Sequence, residues 1–254
     1  MRAILLVRCG HPAPPVRIVA GDYDRWFVRA LGAAGLRFRV VDAPAGEEIP
    51  DGADAIVVTG SPSSVIEDAP WMRRAGDRIC DLAAGGVPVL GVCFGHQLLA
   101  RAYGGEVERS PRGRELGTVA CRLTPAGRGD PLFRGIPDRF AVQATHEDHV
   151  ARLPPGAELL ATNAHSQVQA FAIGRTVRAV QFHPEVDAAT MRALVLARTP
   201  AVKAEAHARG EPAEDGLRAA LDGVRESPHA RRVLENFVDG FAPSKRRPTS
   251  PGGR

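Results

Sequence analysis

The sequence predicts an α/β fold, a mostly parallel central sheet flanked by helices with a small antiparallel extension. Three observations predict it. Short apolar runs alternate with amphipathic stretches between residues 3 and 103, the pattern of strand and crossover helix. One of those runs, 87–92, passes through a Gly-x-Cys-x-Gly turn straight into a helix-forming stretch. From 116 to 182 the pattern changes to short strands with alternating side chains, which suits antiparallel or mixed pairing.

Taken in order, residues 3–7 are an unbroken apolar run too short for a helix, so they read as a buried strand. The turn-rich Cys9-Gly10-His11-Pro12-Ala13-Pro14-Pro15 follows. Residues 22–31 read as a helix with Trp26, Phe27 and Leu31 on one side; with Tyr23 these look like helix-face packing, not a cofactor box. Gly35 stops that helix, 36–41 is the second strand, and 53–58 is a third that ends in Thr59-Gly60-Ser61-Pro62. A helix over 71–84 ends at Gly85-Gly86. Strand 87–92 delivers Cys93, and 94–103 is the helix after it. The short strands are 116–123, 139–145, 158–162, 167–173 and 177–182. Helices are expected at 188–197, 214–224 and 230–241, separated by Gly210-Glu211-Pro212 and Ser227-Pro228. The expected organisation is one domain over 1–186, a helical segment over 187–241 packed on it, and a disordered basic tail over 242–254.

The 254 residues carry a net charge of +4, but the positive charge is dispersed, with Lys245-Arg246-Arg247 as the one basic run. A nucleic-acid partner is therefore not expected. The four cysteines have no Cys-x-x-Cys spacing, and Cys9, Cys80 and Cys121 read as small buried hydrophobes. The Cys and His residues lack a metal-ligand spacing, and the Ser61-Ser63-Ser64 cluster has too little glycine to cradle phosphate, so no metal and no cofactor are expected. Residues 3–7 are too short for a secretory apolar segment, and no run approaches membrane length. The expectation is a reduced, cytoplasmic protein with no membrane contact.

The chemistry concentrates at two segments. In Gly91-Val92-Cys93-Phe94-Gly95-His96-Gln97 a thiol sits on a strand-to-helix turn, at a helix start whose dipole and free N–H groups favour thiolate. Gly91 and Gly95 leave room for closely approaching backbone. In Val180-Gln181-Phe182-His183-Pro184-Glu185 an imidazole is followed two residues later by a carboxylate. Together they suggest a Cys93-His183-Glu185 triad of nucleophile, base and orienting group.

These motifs resemble those of the class I (triad-type) glutamine amidotransferases, most of all the stand-alone glutaminase domains of the GMP-synthase type. The likeness runs from about Met1 to Glu185 and weakly through Leu234-Glu235-Asn236-Phe237. It implies the flavodoxin-like fold of that family and hydrolysis of a glutamine side-chain amide through a γ-glutamyl thioester on Cys93. It implies an oxyanion hole from the backbone N–H groups of Phe94 and Ser61, where Ser61 stands in place of the more common glycine. Gly60, Gln97, Thr145, His146 and Asp148 are the implied substrate contacts, with Asp148 facing the α-ammonium and Glu147 replacing a smaller residue. Arg114-Glu115-Leu116-Gly117 resembles a motif that positions a strand beside the pocket. Nothing after Glu185 resembles a synthetase domain, so the expectation is either a separate synthetase subunit that receives the ammonia or an enzyme that works alone as a hydrolase. Two other readings stay open: a γ-glutamyl peptidase or hydrolase with the same triad, and a non-catalytic binding module on the same fold.

Overall fold

A computed structural model describes residues 1–32 and 35–242. The expected strands of the first half form β1 (Arg2–Arg8), β2 (Leu36–Asp42), β3 (Ala55–Val58) and β4 (Val89–Val92). They are followed by β5 (Glu106–Arg109), β6 (Glu115–Leu123), β7 (Arg139–His146), β8 (Asp148–Arg152), β9 (Ala157–Thr162), β10 (Ala170–Ile173) and β11 (Val177–Val180). Nine of them make one sheet in the order β2-β1-β3-β4-β11-β10-β9-β6-β7. From β2 to β11 every neighbouring pair is parallel, and from β11 to β7 every pair is antiparallel. The antiparallel strands thus continue the parallel block on one side. A separate two-stranded antiparallel sheet joins β5 to β8.

The pleat sends alternate residues of β1 to opposite faces, and each face has its own apolar layer. Ile4 and Leu6 pack with Phe27 of helix α2 (Tyr23–Leu31) and with Leu234 and Phe237 of helix α9 (Pro228–Phe241). Leu5 and Val7 pack with Met72 and Ile79 of helix α3 (Pro70–Ala84) and with Leu98 and Leu99 of helix α4 (Phe94–Ala102). A third cluster joins Val16 of helix α1 (Pro14–Ala20), Trp26 of α2 and Met191 and Leu194 of helix α6 (Ala188–Ala197). Trp26 and Phe27 are fully buried and Tyr23 nearly so, as their helix-face reading requires.

Several expectations need correcting. The stretch expected to be a turn through residue 15 stops at Ala13, because Pro14 opens α1: a proline at the first helical position gives up no needed N–H. Helix α7 (Thr199–Ala208) was not expected and carries another proline, Pro200, at its second position. Helix α8 (Ala213–Asp222) follows it. The segments forming β5 and β8 were not read as strands, because each is short and charged. The strand expected over 177–182 ends at Val180, and the chain then leaves the sheet toward β7, where the His183 N–H donates to Gln143 O at 2.8 Å. Cys9 and Cys121 are buried as expected, whereas Cys80 is only half-buried. Ala242, placed in the expected tail, is fully buried against the core; the rest of that tail, 243–254, lies outside the described residues. No described helix is long and apolar enough to cross a membrane.

Candidate functional site

The parallel block determines where the two motifs meet. Val92 of β4 lies beside Val180 of β11, and Gly91 lies beside Val58 of β3. The residues that follow each strand, Cys93, Gln181 to His183, and Thr59 to Ser61, therefore emerge together beyond the carboxyl ends of these strands, where α/β sheets place their sites.

Cys93 sits between β4 and α4 with φ 52° and ψ −102°, a backbone conformation costly for a residue with a Cβ. Close packing behind it holds the turn. A Cβ on Gly95 would stand 2.4 Å from Val58 O, and one on Gly91 would stand 2.6 Å from Gly95 O. The Cys93 N–H is bonded to Val180 O at 2.9 Å. The Phe94 ring, which follows the thiol, is stacked on Trp71 of α3.

His183 meets Cys93 over Gly60. A Cβ at Gly60 would lie 2.9 Å from His183 Cε1 and 3.8 Å from Cys93 Cβ, so only glycine admits the ring here. His183 Nδ1 lies 2.7 Å from Glu185 Oε1, and both side chains are buried. Nε2 is buried with no hydrogen-bond partner among the described residues, which leaves it for the thiol proton. Burial acts to lower the His183 pKa, but Glu185 and Cys93 outweigh it and raise it from 6.5 to about 10. A thiol, an imidazole and a buried carboxylate so arranged can perform nucleophilic attack with proton transfer.

In front of the thiol lies a cleft of about 320 Å³. Cys93, Phe94, Ser61, Gln97, Thr145, His146 and Asp148 all line it, so the structure brings together those sequence-predicted positions. His183, Glu185 and Gly60 are not among the lining residues, and Gly60 borders His183. Thr145 Oγ1 is buried without a hydrogen-bond partner among the described residues, a polar atom a ligand can satisfy. Asp148 accepts a hydrogen bond from the Ser64 hydroxyl. Gln97 Nε2 donates to Asp148 O at 2.8 Å and to Gln181 Oε1 at 3.1 Å. His146 is held at both nitrogens, by Asp148 O at 3.0 Å and by Glu115 Oε2 at 2.9 Å. Glu115 is itself held below the usual carboxylate range: burial raises its pKa, but His146, His165 and Asn163 lower it further.

Other residues of the site were missed from the sequence. Gln181, fully buried, places its amide nitrogen 3.7 Å from Cys93 Sγ. Its place two residues before His183 was the only signal. Gly10, with φ +147°, packs against the Ser61-Pro62 turn, where a Cβ would be 3.0 Å from Pro62 Cδ. Arg109 pairs with Glu147 at the cleft, as does Arg114 of the motif expected beside the pocket, which also bonds Glu205 of α7. Arg198, between α6 and α7, lines the cleft without a carboxylate partner within ion-pair distance among the described residues. It lies in a segment read only for helix content. No group of His, Cys, Asp and Glu able to hold a metal occurs among the described residues.

Comparison with known proteins places relatives beside this fold. GMP synthase [glutamine-hydrolyzing] of Aeropyrum pernix is 37% identical over 180 residues, 68% of this chain and 33% of that protein. This chain therefore spans about a third of that relative's length. Gamma-glutamyl peptidase 3 of Arabidopsis thaliana is 32% identical over 193 residues, 72% of this chain and 76% of the peptidase. The crystal structure of a glutamine amidotransferase from Methylobacillus flagellatus has the same fold, with a TM-score of 0.73 at 24% identity, covering 95% of this chain and 96% of that one. The family model "Glutamine amidotransferase class-I" matches residues 19–199, and the chain belongs to that family.

Proposed function

We propose that this protein hydrolyses the side-chain amide of glutamine through a γ-glutamyl thioester on Cys93, releasing ammonia to a separate acceptor subunit. The single observation that carries the reading is the meeting of Cys93, His183 and Glu185 over Gly60, behind a cleft. Cys93 Sγ attacks the amide carbon after its proton passes to His183 Nε2, and His183 returns a proton to the departing nitrogen as the carbon–nitrogen bond breaks. Water, activated by the same imidazole, then cleaves the thioester to glutamate and free thiol. Glu185 orients His183 and stabilises its charged form. The backbone N–H groups of Phe94 and Ser61 face the developing oxyanion, a contribution of about 3–4 kcal/mol for each donor. Asp148 receives the substrate ammonium, Thr145 and Gln97 border the amino-acid head, and Arg198 supplies a cation for a carboxylate. His146 supports the loop from behind.

In this reading residues 1–186 carry the triad, and 187–241 form a helical layer on the same domain that reaches the cleft through Arg198. Four free cysteines, one of them required reduced, suit the cytoplasm.

A second reading is a γ-glutamyl peptidase or hydrolase, which differs only in the leaving group. The peptidase relative supports it: the chain matches 76% of that protein's length but only 33% of the GMP synthase's. Steady-state turnover of glutamine against γ-glutamyl dipeptides decides between them. Faster hydrolysis of glutamine is expected; brisk dipeptide cleavage with negligible release of ammonia from glutamine would reverse the order.

A further inference from the structure

Gln181 is buried completely, and its amide meets the Gln97 amide on one side and the Cys93 sulfur on the other. Asp148 O is a backbone carbonyl and can only accept, so the Gln97 group facing it at 2.8 Å must be Nε2. The second hydrogen of that nitrogen points to the Gln181 amide at 3.1 Å, which must therefore present Oε1 there. The remaining end of Gln181 is its NH2 group, and it lies 3.7 Å from Cys93 Sγ, within the longer reach of a hydrogen bond to sulfur. A backbone carbonyl thus dictates, through two side-chain amides, that the sulfur faces a donor.

Resting on the nucleophilic role of Cys93, we propose that Gln181 is a positioning residue that holds the Cys93 sulfur through its amide N–H, in an orientation fixed by Gln97. An N–H donor strengthens as negative charge gathers on the sulfur and also restricts the side chain to one direction of attack. It needs no charge of its own, so it leaves the His183–Glu185 pair undisturbed. The titratable and charged groups that act electrostatically on Cys93 are His183, paired with Glu185, Tyr23 from α2 and Arg198 from the α6–α7 junction. His96 of α4 borders the Gln181 amide and is kept neutral, its pKa lowered by burial to about 3. Gln181 is then an uncharged donor within hydrogen-bond reach of the sulfur.

The test uses the full chain with Gln181→Met and Gln97→Met, and follows alkylation of Cys93 by iodoacetamide across pH by peptide mass spectrometry, beside kcat and KM for glutamine. In the wild type Cys93 reacts ahead of Cys9, Cys80 and Cys121. Gln181→Met is expected to displace the alkylation profile upward by about one pH unit and to lower kcat about 10- to 100-fold with KM little changed, the loss of one hydrogen bond to a charged group. Gln97→Met, which keeps the donor but frees it to turn, moves both readouts the same way by less. It decides the matter if Gln181→Met does not fold. An unchanged alkylation profile in a folded variant overturns the assignment. A wild type in which Cys93 is not the preferred thiol overturns the nucleophile itself, a result the variants cannot imitate.

Discussion

Cys93 and Asp68 are the two non-glycine residues with positive φ among the described residues, and of these only Cys93 is buried in the core. Backbone strain at such a position persists only when its surroundings impose it, and here two glycines do so. Gly95→Ala forces a methyl group onto the Val58 carbonyl, which as backbone in a central strand cannot move aside. We expect a loss of about 1–3 kcal/mol of stability and of activity together, measured by urea unfolding and turnover. Ala at Gly32, which has open space, costs only the strain of φ +68° and leaves turnover intact. The chemistry-bearing side chains were legible at this scale because Gly-x-Cys-x-Gly and Phe-His-Pro-Glu are contiguous. Gln181 and Arg198 were not, since a glutamine within an apolar run and an arginine between two helices gain meaning only from what folding brings beside them.

At the scale of elements, the parallel strands were readable because burial on both faces makes each an unbroken apolar run, as Ala55–Val58 and Val89–Val92 show. Residues 106–109 are charged at three of four positions and 148–152 interleave Asp148, His149 and Arg152 with two apolar residues, so β5 and β8 give no such signal, although Asp148 at the start of β8 lines the cleft. Helices α1 and α7 were hidden by prolines that punctuate a turn in one context and open a helix in another. The C-terminal helix α9 spends its apolar face on the main core, with Phe237 fully buried beside the sheet. Phe237→Ala should therefore cost about 3–5 kcal/mol. Urea unfolding that still follows one transition, shifted to lower midpoint, is the expected result; an independent early transition would show α9 to be an appendage.

For the whole molecule, two buried histidines give opposite pH dependences. His183 has its pKa raised to about 10, so its contribution is full below 6.5 and is lost as pH rises through 10. His96 has its pKa lowered to about 3, so between 6.5 and 3 the unfolded chain takes up a proton that the folded one refuses, and stability falls as pH falls through that window. Thermal unfolding across pH should show that His183→Gln flattens the alkaline limb and His96→Leu the acid limb. Unaltered limbs would mean that neither ring titrates as its surroundings require.

The chemical claim binding these scales is that one thiol becomes acylated. Rapid quenching of the protein with glutamine, followed by peptide mass spectrometry, tests it most directly. The peptide holding Cys93 is expected to carry a γ-glutamyl adduct that hydroxylamine removes, and Cys93→Ala to show neither adduct nor turnover. Persistent turnover in Cys93→Ala, or an adduct confined to Cys9, Cys80 or Cys121, would contradict the account.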